Sequence, residues 1–443
     1  MTEPMTEPRQ ATDEGLVRGI GTWALGANVV NMIIGAGIFV LPGVVAASLG
    51  ATAVLAYLAC AVVVALVFLS FAEVGSRITR SGGSYAYIED AFGPFAGFIA
   101  SILFWFGWSV LSDAAIAVAM TDAIGTGFPL LQETLPRDIF LIALFGFLAV
   151  INIMGLKAGV RLFVVNTIAK LVPLLVLAGA GLLAIDFDKL TITSWPTAAA
   201  FGSTTLVLFF AFAGAESALN ASGEIERPAS TVPRGLLLGI SAVLLLYLSL
   251  QTVAQGTLGP ALADNTEAPL AATATVVLGG WGTQLLMAGL VISIFGTLSG
   301  DVLVTPRVLF AAARDGLLPK PLARVHPRHH TPHVAIVFYT LLGCGFALSG
   351  TFRYLAVLAS GSILLIYLGV SLAVLRLRRI RGMPGPGEFR IPGGPAVPVL
   401  SAAVVILLLS QMAKSEAIGL AALVAVAVVL YLGRAVWQRS SAG

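Results

Sequence analysis

The chain has 443 residues, of which 58% are hydrophobic and only 11% are charged. Because a soluble domain carries about 25% charged residues, this composition excludes an ordinary soluble protein and predicts an integral membrane protein that resides in a lipid bilayer. The net charge of +3 is small and dispersed, so we expect no nucleic-acid partner. The two cysteines, Cys60 and Cys344, lie in apolar stretches without metal-ligand or disulfide spacing.

The chain begins with a polar segment, Met1 to Glu14, that lacks the basic region and short apolar core of a cleaved signal peptide. We expect residues 1–15 to form a disordered cytoplasmic N-terminus. A membrane-spanning helix needs about 20 apolar residues, and we count twelve such stretches in chain order. They lie near 20–47, 50–75, 94–124, 138–155, 160–184, 202–220, 235–257, 280–311, 333–349, 354–375, 396–412 and 417–436.

The basic residues are concentrated in every second connection between these twelve predicted spans. If the N-terminus is cytoplasmic, the outside loops hold only Arg137, Lys189, Arg353 and Lys414, and nearly all other Lys and Arg residues lie inside. Cytoplasmic loops carry this excess of basic residues. The distribution therefore predicts a multi-pass protein of the cytoplasmic (inner) membrane with both termini in the cytoplasm.

Two predicted spans contain sequences that interrupt a helix. Gly35-Ala36-Gly37 lies in the middle of the first span, and Ala211 to Ser217, with Gly214 at its centre, lies in the sixth. Glycine continues a helix poorly, and a broken backbone inside a membrane is tolerated only beside protein or a wet cavity. Two interrupted spans, five apart, indicate a transporter's binding site and a five-plus-five inverted repeat. The alternative is that these glycines only allow close helix packing.

A histidine-rich segment precedes the ninth span, with His326, His329, His330 and His333 close together. It is a candidate metal site, but its arginines favour a basic cytoplasmic loop at the membrane surface.

Four groups of residues resemble the motifs of amino acid–polyamine–organocation (APC) permeases, in the same order and over nearly the whole chain. They are Gly35–Phe39 with Pro42, Ser81–Tyr87 followed by Ala91–Gly93, Phe210–Ser217 followed by Gly223–Pro228 and Pro233-Arg234, and Pro306-Arg307 followed by Ala313–Pro319. The chain is similar to bacterial amino-acid permeases and the arginine/agmatine antiporter type. The resemblance implies an all-α integral membrane protein with the LeuT-type 5+5 inverted repeat and alternating access. Spans 1 and 6 of its twelve transmembrane helices would be discontinuous, residues 16–376 would form the ten-helix transport core, and 377–443 would add spans 11 and 12.

Two charged residues inside the membrane are candidate coupling groups. Lys170 lies near the middle of span 5, where an intramembrane lysine is costly and indicates function. The resemblance implies that its ammonium stands where sodium-coupled relatives hold an ion, bridging to carbonyls near Gly35 and to Ser299, so transport would not need sodium. Whether it also releases a proton or is a static bridge stays open. The resemblance makes Glu216 a proton-coupling or gating carboxylate; it could also cap the second half of span 6.

Asp113 in span 3 and Asp301 in span 8 depart from the arginine/agmatine antiporter type, which has an asparagine and a large aromatic residue there. Both should face the central cavity, where two carboxylates repel unless a cation or proton intervenes. Either the substrate carries a distal positive charge, or one aspartate is protonated and takes part in coupling, or one of them pairs permanently with Lys170.

The helix breaks supply the remaining predicted substrate contacts. Free amides of Ala36, Gly37 and Ile38 should hold a substrate carboxylate. Carbonyl groups at the ends of the first half-helices should hold its ammonium; they are those of Ile33, Phe210, Ala211 and Ala213. Phe210 and Phe212 could close over the substrate, although Phe212 could equally be ordinary packing.

The sequence thus predicts a secondary amino-acid transporter rather than an enzyme, without a cofactor or a bound metal. The phosphate-binding GxxxxGK[ST] and metal-binding His-Glu-x-x-His motifs are missing from the sequence. The function we expect is sodium-independent and proton-coupled or exchanging, with cationic amino acids or polyamines as substrates. The alternatives are a broad neutral amino-acid permease that uses an aspartate for proton coupling, a channel, or a substrate sensor. The protein would be a monomer or homodimer.

Overall fold

The computed structural model describes residues 19–78, 83–155, 160–219, 224–314 and 318–440. The predicted N-terminal segment 1–15, and the parts of the permease-like motifs near residues 81, 223 and 316, lie outside the described residues. Within the described ranges the chain is all-α, with one isolated β-bridge between Ile20 and Ile225 and no strand. The all-α prediction is therefore confirmed.

Sixteen α-helices follow one another in the described part of the chain. They are α1 (Thr22–Ile33), α2 (Gly37–Leu49), α3 (Ala53–Arg77), α4 (Gly83–Phe92), α5 (Pro94–Ile102), α6 (Leu111–Gly125), α7 (Thr134–Ile153), α8 (Val160–Gly181), α9 (Ala198–Phe209), α10 (Pro228–Leu258), α11 (Pro269–Leu278), α12 (Gly280–Arg314), α13 (His333–Ser349), α14 (Phe352–Arg381), α15 (Ala396–Leu409) and α16 (Lys414–Ser440).

Nine helical stretches of the described residues are long and apolar enough to cross a membrane. They are Gly37–Arg77, Pro94–Gly125, Thr134–Ile153, Asn166–Ala184, Ala198–Leu219, Pro228–Asp264, Gly280–Arg314, Phe352–Arg381 and Lys414–Gly433. Three shorter apolar helices are α11, α13 and α15. This confirms a protein with several membrane spans, while the count of twelve stays a prediction.

The helices differ in how deeply they are buried within the bundle. In the most apolar 18-residue stretch of α14, 78% is buried inside the protein, whereas only 17% is buried in the corresponding stretch of α16. Helix α14 therefore lies at the centre, and α16 lies at the periphery with most of its apolar side chains outward. We call the side on which α1 begins and α3 ends the near face, and the side on which α2, α6 and α10 end the far face.

Both predicted interruptions are present. Helix α1 ends at Ile33, Ile34 is extended (ψ 92°), and α2 begins at Gly37. Helix α9 ends at Phe209 and continues as a 3₁₀ turn over Phe210–Phe212, after which Ala213 is extended (ψ 160°) and a second 3₁₀ turn covers Ala215–Leu219. Gly214 has a φ of +117°, which an L-residue adopts poorly. The prediction that these two spans are discontinuous is confirmed.

A buried ion pair fastens the near face of the bundle. Arg378 of α14 donates two hydrogen bonds, of 2.7 and 2.6 Å, to the carboxylate of Glu73 in α3. The same carboxylate accepts a bond of 2.9 Å from the backbone N–H of Ile391, in the segment that joins α14 to α15. Glu73 is fully buried, so this pair holds a connecting segment against the ends of two central helices.

Candidate functional site

The two helix breaks touch each other. A Cβ atom added to Gly37, at the start of α2, would lie 2.9 Å from Cβ of Ala211. A Cβ atom on Gly214 would lie 2.7 Å from the carbonyl oxygen of Met32 at the end of α1. These approaches are shorter than real Cβ contacts, so only glycine allows the breaks to pack this closely. The contact explains why glycines occur at these two positions.

Tyr247 of α10 connects the two breaks through their carbonyl groups. Its hydroxyl oxygen lies 3.3 Å from the carbonyl oxygen of Ile33 and 3.1 Å from that of Ala211. The single hydroxyl proton can be donated to only one of them at a time. These are two of the carbonyl groups that we expected to hold a substrate ammonium, so Tyr247 competes for that position. Tyr247 was not predicted from the sequence, where it is the single tyrosine within the apolar run of span 7.

The aromatic residues around the second break are packed. The ring of Phe212 lies 5.2 Å from that of Tyr247 and 6.1 Å from that of Tyr57, both edge to face. Phe212 is 1% exposed, which fits the packing alternative. Phe210 contacts Trp108 at 5.8 Å and Phe352 at 5.9 Å between ring centroids. Closure over a substrate stays a prediction for both phenylalanines.

The first turn of α2 presents the predicted carboxylate-binding amides. Ala36, Gly37 and Ile38 begin this helix, and the first N–H groups of any helix have no partner within it. Their position against Ala211 brings the positive end of α2 to the second break. The carbonyl groups of Phe210 and Ala213 lie on the same break. The predicted backbone contacts are thus neighbours in space, and their binding role stays a prediction.

Lys170 of α8 bonds to the end of α1. Its Nζ atom donates a hydrogen bond of 2.7 Å to the carbonyl oxygen of Asn31, and Thr167 donates one of 2.7 Å to the Asn31 side chain. Lys170 is 2% exposed. A bridge from Lys170 to span 1 is therefore present, but its acceptor is Asn31 rather than a carbonyl group nearer Gly35. No hydrogen bond joins Lys170 to Ser299 within the described ranges. Among the ion pairs of the described residues, none joins Lys170 to Asp113 or Asp301, so the permanent pairing that we considered is not found.

Asp113 and Asp301 lie close enough for their carboxylates to interact electrostatically. Asp113 is fully buried, and its Oδ2 accepts a bond of 2.8 Å from the hydroxyl of Tyr339 in α13. Its Oδ1 finds no hydrogen-bond donor among the described residues. Two carboxylates so close repel unless a proton or cation lies between them. The structure therefore brings together the two aspartates that the sequence singled out, while Tyr339 was missed.

Glu216 caps the second break. Its Oε2 accepts a hydrogen bond of 3.0 Å from the N–H of Gly214 and another from the hydroxyl of Tyr367 in α14. Glu216 is fully buried, and its Oε1 is unpaired in the described part of the chain. This arrangement matches the capping role that we considered, and it couples the break to central helix α14. A role in proton coupling or gating stays a prediction.

Two cavities lie at the far face. The larger, of about 830 Å³, is bounded by the ends of α6, α11 and α12 and includes Asp264 and Glu267. Burial and the nearby charge of Asp122 raise the pKa of Glu267. The smaller, of about 260 Å³, lies where α2 and α10 end. The side chains of Asp113 and Glu216 are fully buried, so neither carboxylate lies in these two cavities.

The histidine-rich loop is held by hydrogen bonds within the fold. Nδ1 of His326 accepts bonds from the backbone N–H groups of Arg328 and His329, both at 3.2 Å. Thr331 donates a bond of 2.8 Å to the carbonyl oxygen of Ile153 at the end of α7. In the ranges that the structure describes, no group of three or more potential ligands is arranged to hold a metal ion. The histidines of this loop therefore form no such group, and the basic loop that the sequence favours stays a prediction.

Comparisons with known proteins agree with this geometry. The model of the family described as "Amino acid permease" matches residues 20–433. The chain is 31% identical to the serine/threonine exchanger SteT of Bacillus subtilis over 404 residues, which cover 88% of this chain and 90% of that protein. It is 26% identical to the branched-chain amino acid permease BcaP of the same organism, over 88% of this chain and 87% of that protein.

A third relative is an arginine/ornithine antiporter of Pseudomonas aeruginosa, with 32% identity over 68% of this chain and 65% of that protein. These relatives are transporters by name, and the broken, membrane-spanning helices described above are what such proteins need. The family match covers nearly all of the described residues, as the permease-like motifs predicted. The chain therefore belongs to the amino acid permease family of the APC superfamily.

Proposed function

We propose that this permease is a sodium-independent secondary transporter of amino acids that works by alternating access. Twelve spans would form a 5+5 inverted repeat with two added helices, in the inner membrane, with both termini cytoplasmic. The observation that carries the proposal is the direct contact of two broken helices at Gly37 and Ala211. Half-helix ends at mid-depth supply both amide donors and carbonyl acceptors for a zwitterion.

In the proposed binding mode the substrate replaces contacts that the protein makes with itself. Its carboxylate bonds to the amides of Ala36, Gly37 and Ile38. Its ammonium bonds to carbonyl groups that Tyr247 now approaches, so the hydroxyl moves aside when substrate enters. The acceptors are those of Ile33, Phe210, Ala211 and Ala213, with the rings of Phe210 and Phe212 closing beside them. The carbonyl groups at the two breaks are therefore hydrogen-bonded in both states. Without substrate the donor is the Tyr247 hydroxyl, and with substrate it is the substrate's ammonium.

The substrate class we favour is cationic amino acids or polyamines. The support is the unpaired Oδ1 of Asp113 beside Asp301, because a distal positive charge would relieve the repulsion between the two carboxylates. A relative named as an arginine/ornithine antiporter agrees with this choice. The second candidate is exchange of small neutral amino acids with one aspartate protonated for coupling, and it is favoured by the relative named as a serine/threonine exchanger.

Lys170 and Glu216 would couple the two halves of the transport cycle. Each bonds to backbone at a break, Lys170 at the end of the first half of span 1 and Glu216 at Gly214. A proton on either group, or exchange of one substrate for another, would then drive the change of access. A monomer or a homodimer satisfies this mechanism.

The proposal is tested by thermal unfolding of purified protein with each of the twenty amino acids, agmatine, putrescine and spermidine. A ligand that binds the folded state raises its stability by mass action. We expect lysine, arginine or a polyamine to raise the unfolding temperature, and the same compounds to drive counterflow of labelled substrate in proteoliposomes. Stabilisation only by serine, threonine or branched-chain amino acids would select the neutral alternative. Flux without saturation or counterflow would contradict a carrier.

A further inference from the structure

Three buried polar side chains follow one face of α10, a helix whose membrane-spanning part is mostly apolar. Tyr247, Gln251 and Gln255 are spaced by four residues, which puts them on one side of the helix about 6 Å apart along its axis. They are 0%, 0% and 3% exposed. We call these three side chains the α10 polar stripe. It runs from the helix breaks, where Tyr247 lies, to the far face.

The α10 polar stripe contains amide groups that the protein leaves unpaired. Both the Nε2 and the Oε1 of Gln251, and the Oε1 of Gln255, find no hydrogen-bond partner among the described residues. Buried polar groups in proteins are almost always bonded to protein or to ordered water. A buried amide without a protein partner in this part of the chain is the kind of group to which ordered water binds.

The far end of the α10 polar stripe opens into the smaller cavity. Gln255 lines this cavity of about 260 Å³ together with Thr193, Ser194 and the backbone around Gly50 and Gly259. A water molecule occupies about 30 Å³ in the liquid, so the cavity has room for several. Its hydroxyl and carbonyl groups provide the two to four bonds that each ordered water needs. Water from the far face can therefore reach Gln255.

The near end of the α10 polar stripe meets carbonyl groups that share one donor. The hydroxyl of Tyr247 serves both Ile33 and Ala211, at 3.3 and 3.1 Å, with a single proton. A water molecule beside Tyr247 would supply the second donor.

We propose that the α10 polar stripe binds a file of ordered water that connects the far-face cavity to the two helix breaks. Water bonded to Gln255 and Gln251 reaches Tyr247 along one face of the helix. When the breaks separate, this water bonds to the carbonyl groups of Ile33 and Ala211, so that neither is left unpaired inside the bilayer. The file is distinct from the larger cavity, which is bounded by α6, α11 and α12 and carries the acidic residues Asp264 and Glu267. Binding of water at the stripe does not depend on which substrate is carried.

The test is chemical labelling of single cysteines in purified protein, in a Cys60→Ala, Cys344→Ala background. A small, water-soluble methanethiosulfonate reacts with the thiolate, so reaction inside the bundle requires water at the site. Gln255→Cys and Gln251→Cys are compared with Leu250→Cys, which is at the same depth of α10, equally buried, and off the stripe. We expect Gln251→Cys to react about tenfold faster than Leu250→Cys, and Gln255→Cys faster still, because only stripe thiols are hydrated enough to ionise.

The proposal would be overturned if Gln251→Cys and Leu250→Cys, each eluting as a single species, both reacted only at the background rate. A second measurement needs no variant. Hydroxyl radicals generated in the unmodified protein oxidise side chains that contact bound water, and we expect oxidation of Tyr247 well above that of Phe71. Phe71 is equally buried and packs on other aromatic rings. Equal oxidation of the two would count against the water file whether or not the cysteine variants fold.

Discussion

The Nζ atom of Lys170 donates a hydrogen bond of 2.7 Å to the carbonyl oxygen of Asn31. Asn31 is in the last turn of α1, where carbonyl groups have no N–H partner within the helix. The bond thus satisfies an acceptor that exists only because α1 is broken, and it ties α8 to the half-helix that ends at the proposed site. A positive charge at this point suits the end of a helix, where the unpaired carbonyl groups carry a partial negative charge.

Replacing Lys170 by Met should abolish most transport. The variant keeps an apolar side chain of similar length but loses the ammonium, and a hydrogen bond to a charged group contributes about 1.5–3 kcal/mol. We therefore expect counterflow to fall by about tenfold or more. The matched control is Lys189→Met, because Lys189 also donates 2.7 Å to a carbonyl oxygen, that of Thr257, but at the partly exposed far face. Equal losses in both variants would contradict a role at the break.

Transport by the unaltered protein should not depend on sodium. If the Lys170 ammonium supplies the positive charge at the end of α1, no sodium ion is needed there. Uptake into proteoliposomes with sodium replaced by choline should equal uptake in sodium. Stimulation by sodium, saturating with its concentration, would show that this charge serves another purpose.

Sequence reasoning predicted the two breaks because glycines in the middle of an apolar span weaken the helix at a defined point. Gly35-Ala36-Gly37 and Gly214 marked both interruptions, and Lys170 was identified by the cost of burying its charge. Tyr247 and Tyr339 were not predicted, because a tyrosine in a membrane span is common and its partner depends on how distant helices pack. The acceptor of Lys170 was likewise set by the rotation of α8 against α1, which no local pattern determines.

A single methyl group at Gly37 should impair closure of the two breaks. Cβ of Ala at this position would lie 2.9 Å from Cβ of Ala211, so α2 and the second break must move apart. Gly35→Ala is the matched control two residues away, because its Cβ would have only one neighbour, the hydroxyl of Thr297 at 4.0 Å. We expect Gly37→Ala to reduce substrate-induced thermal stabilisation and counterflow strongly, and Gly35→Ala to retain most of both. Equal activity of the two variants would show that α2 and the second break can move apart to accommodate the methyl group without loss of transport.

Removing either charge of the aspartate pair should weaken binding of cationic substrates. In Asp113→Asn and Asp301→Asn the side-chain shape is kept, but a distal ammonium or guanidinium loses a charged partner, which is worth about 1.5–3 kcal/mol. This corresponds to a rise in Kd of about tenfold or more for lysine, arginine or a polyamine, measured by titration of the thermal shift. The control is Asp122→Asn, whose carboxylate pairs with Arg137 at 3.1 Å in a partly exposed position. Unchanged Kd in both variants of the pair would exclude cationic substrates and leave the neutral alternative.

The buried ion pair at the near face should contribute more to stability than an exposed pair on the same helix. Glu73→Gln leaves the guanidinium of Arg378 buried without a counter-charge, and breaking a buried pair in this way costs about 3–5 kcal/mol. Arg381→Gln, whose partner Asp90 lies 2.9 Å away with the arginine side chain 48% exposed, should cost at most about 1 kcal/mol.

Thermal unfolding in detergent compares the two variants directly. We expect a large drop in midpoint for Glu73→Gln and almost none for Arg381→Gln. Because Glu73 also accepts the N–H of Ile391, its loss should further expose the segment between α14 and α15 to protease. Equal midpoints for the two variants would show that water reaches the Arg378 side chain, and that the connecting segment is held by its apolar contacts instead.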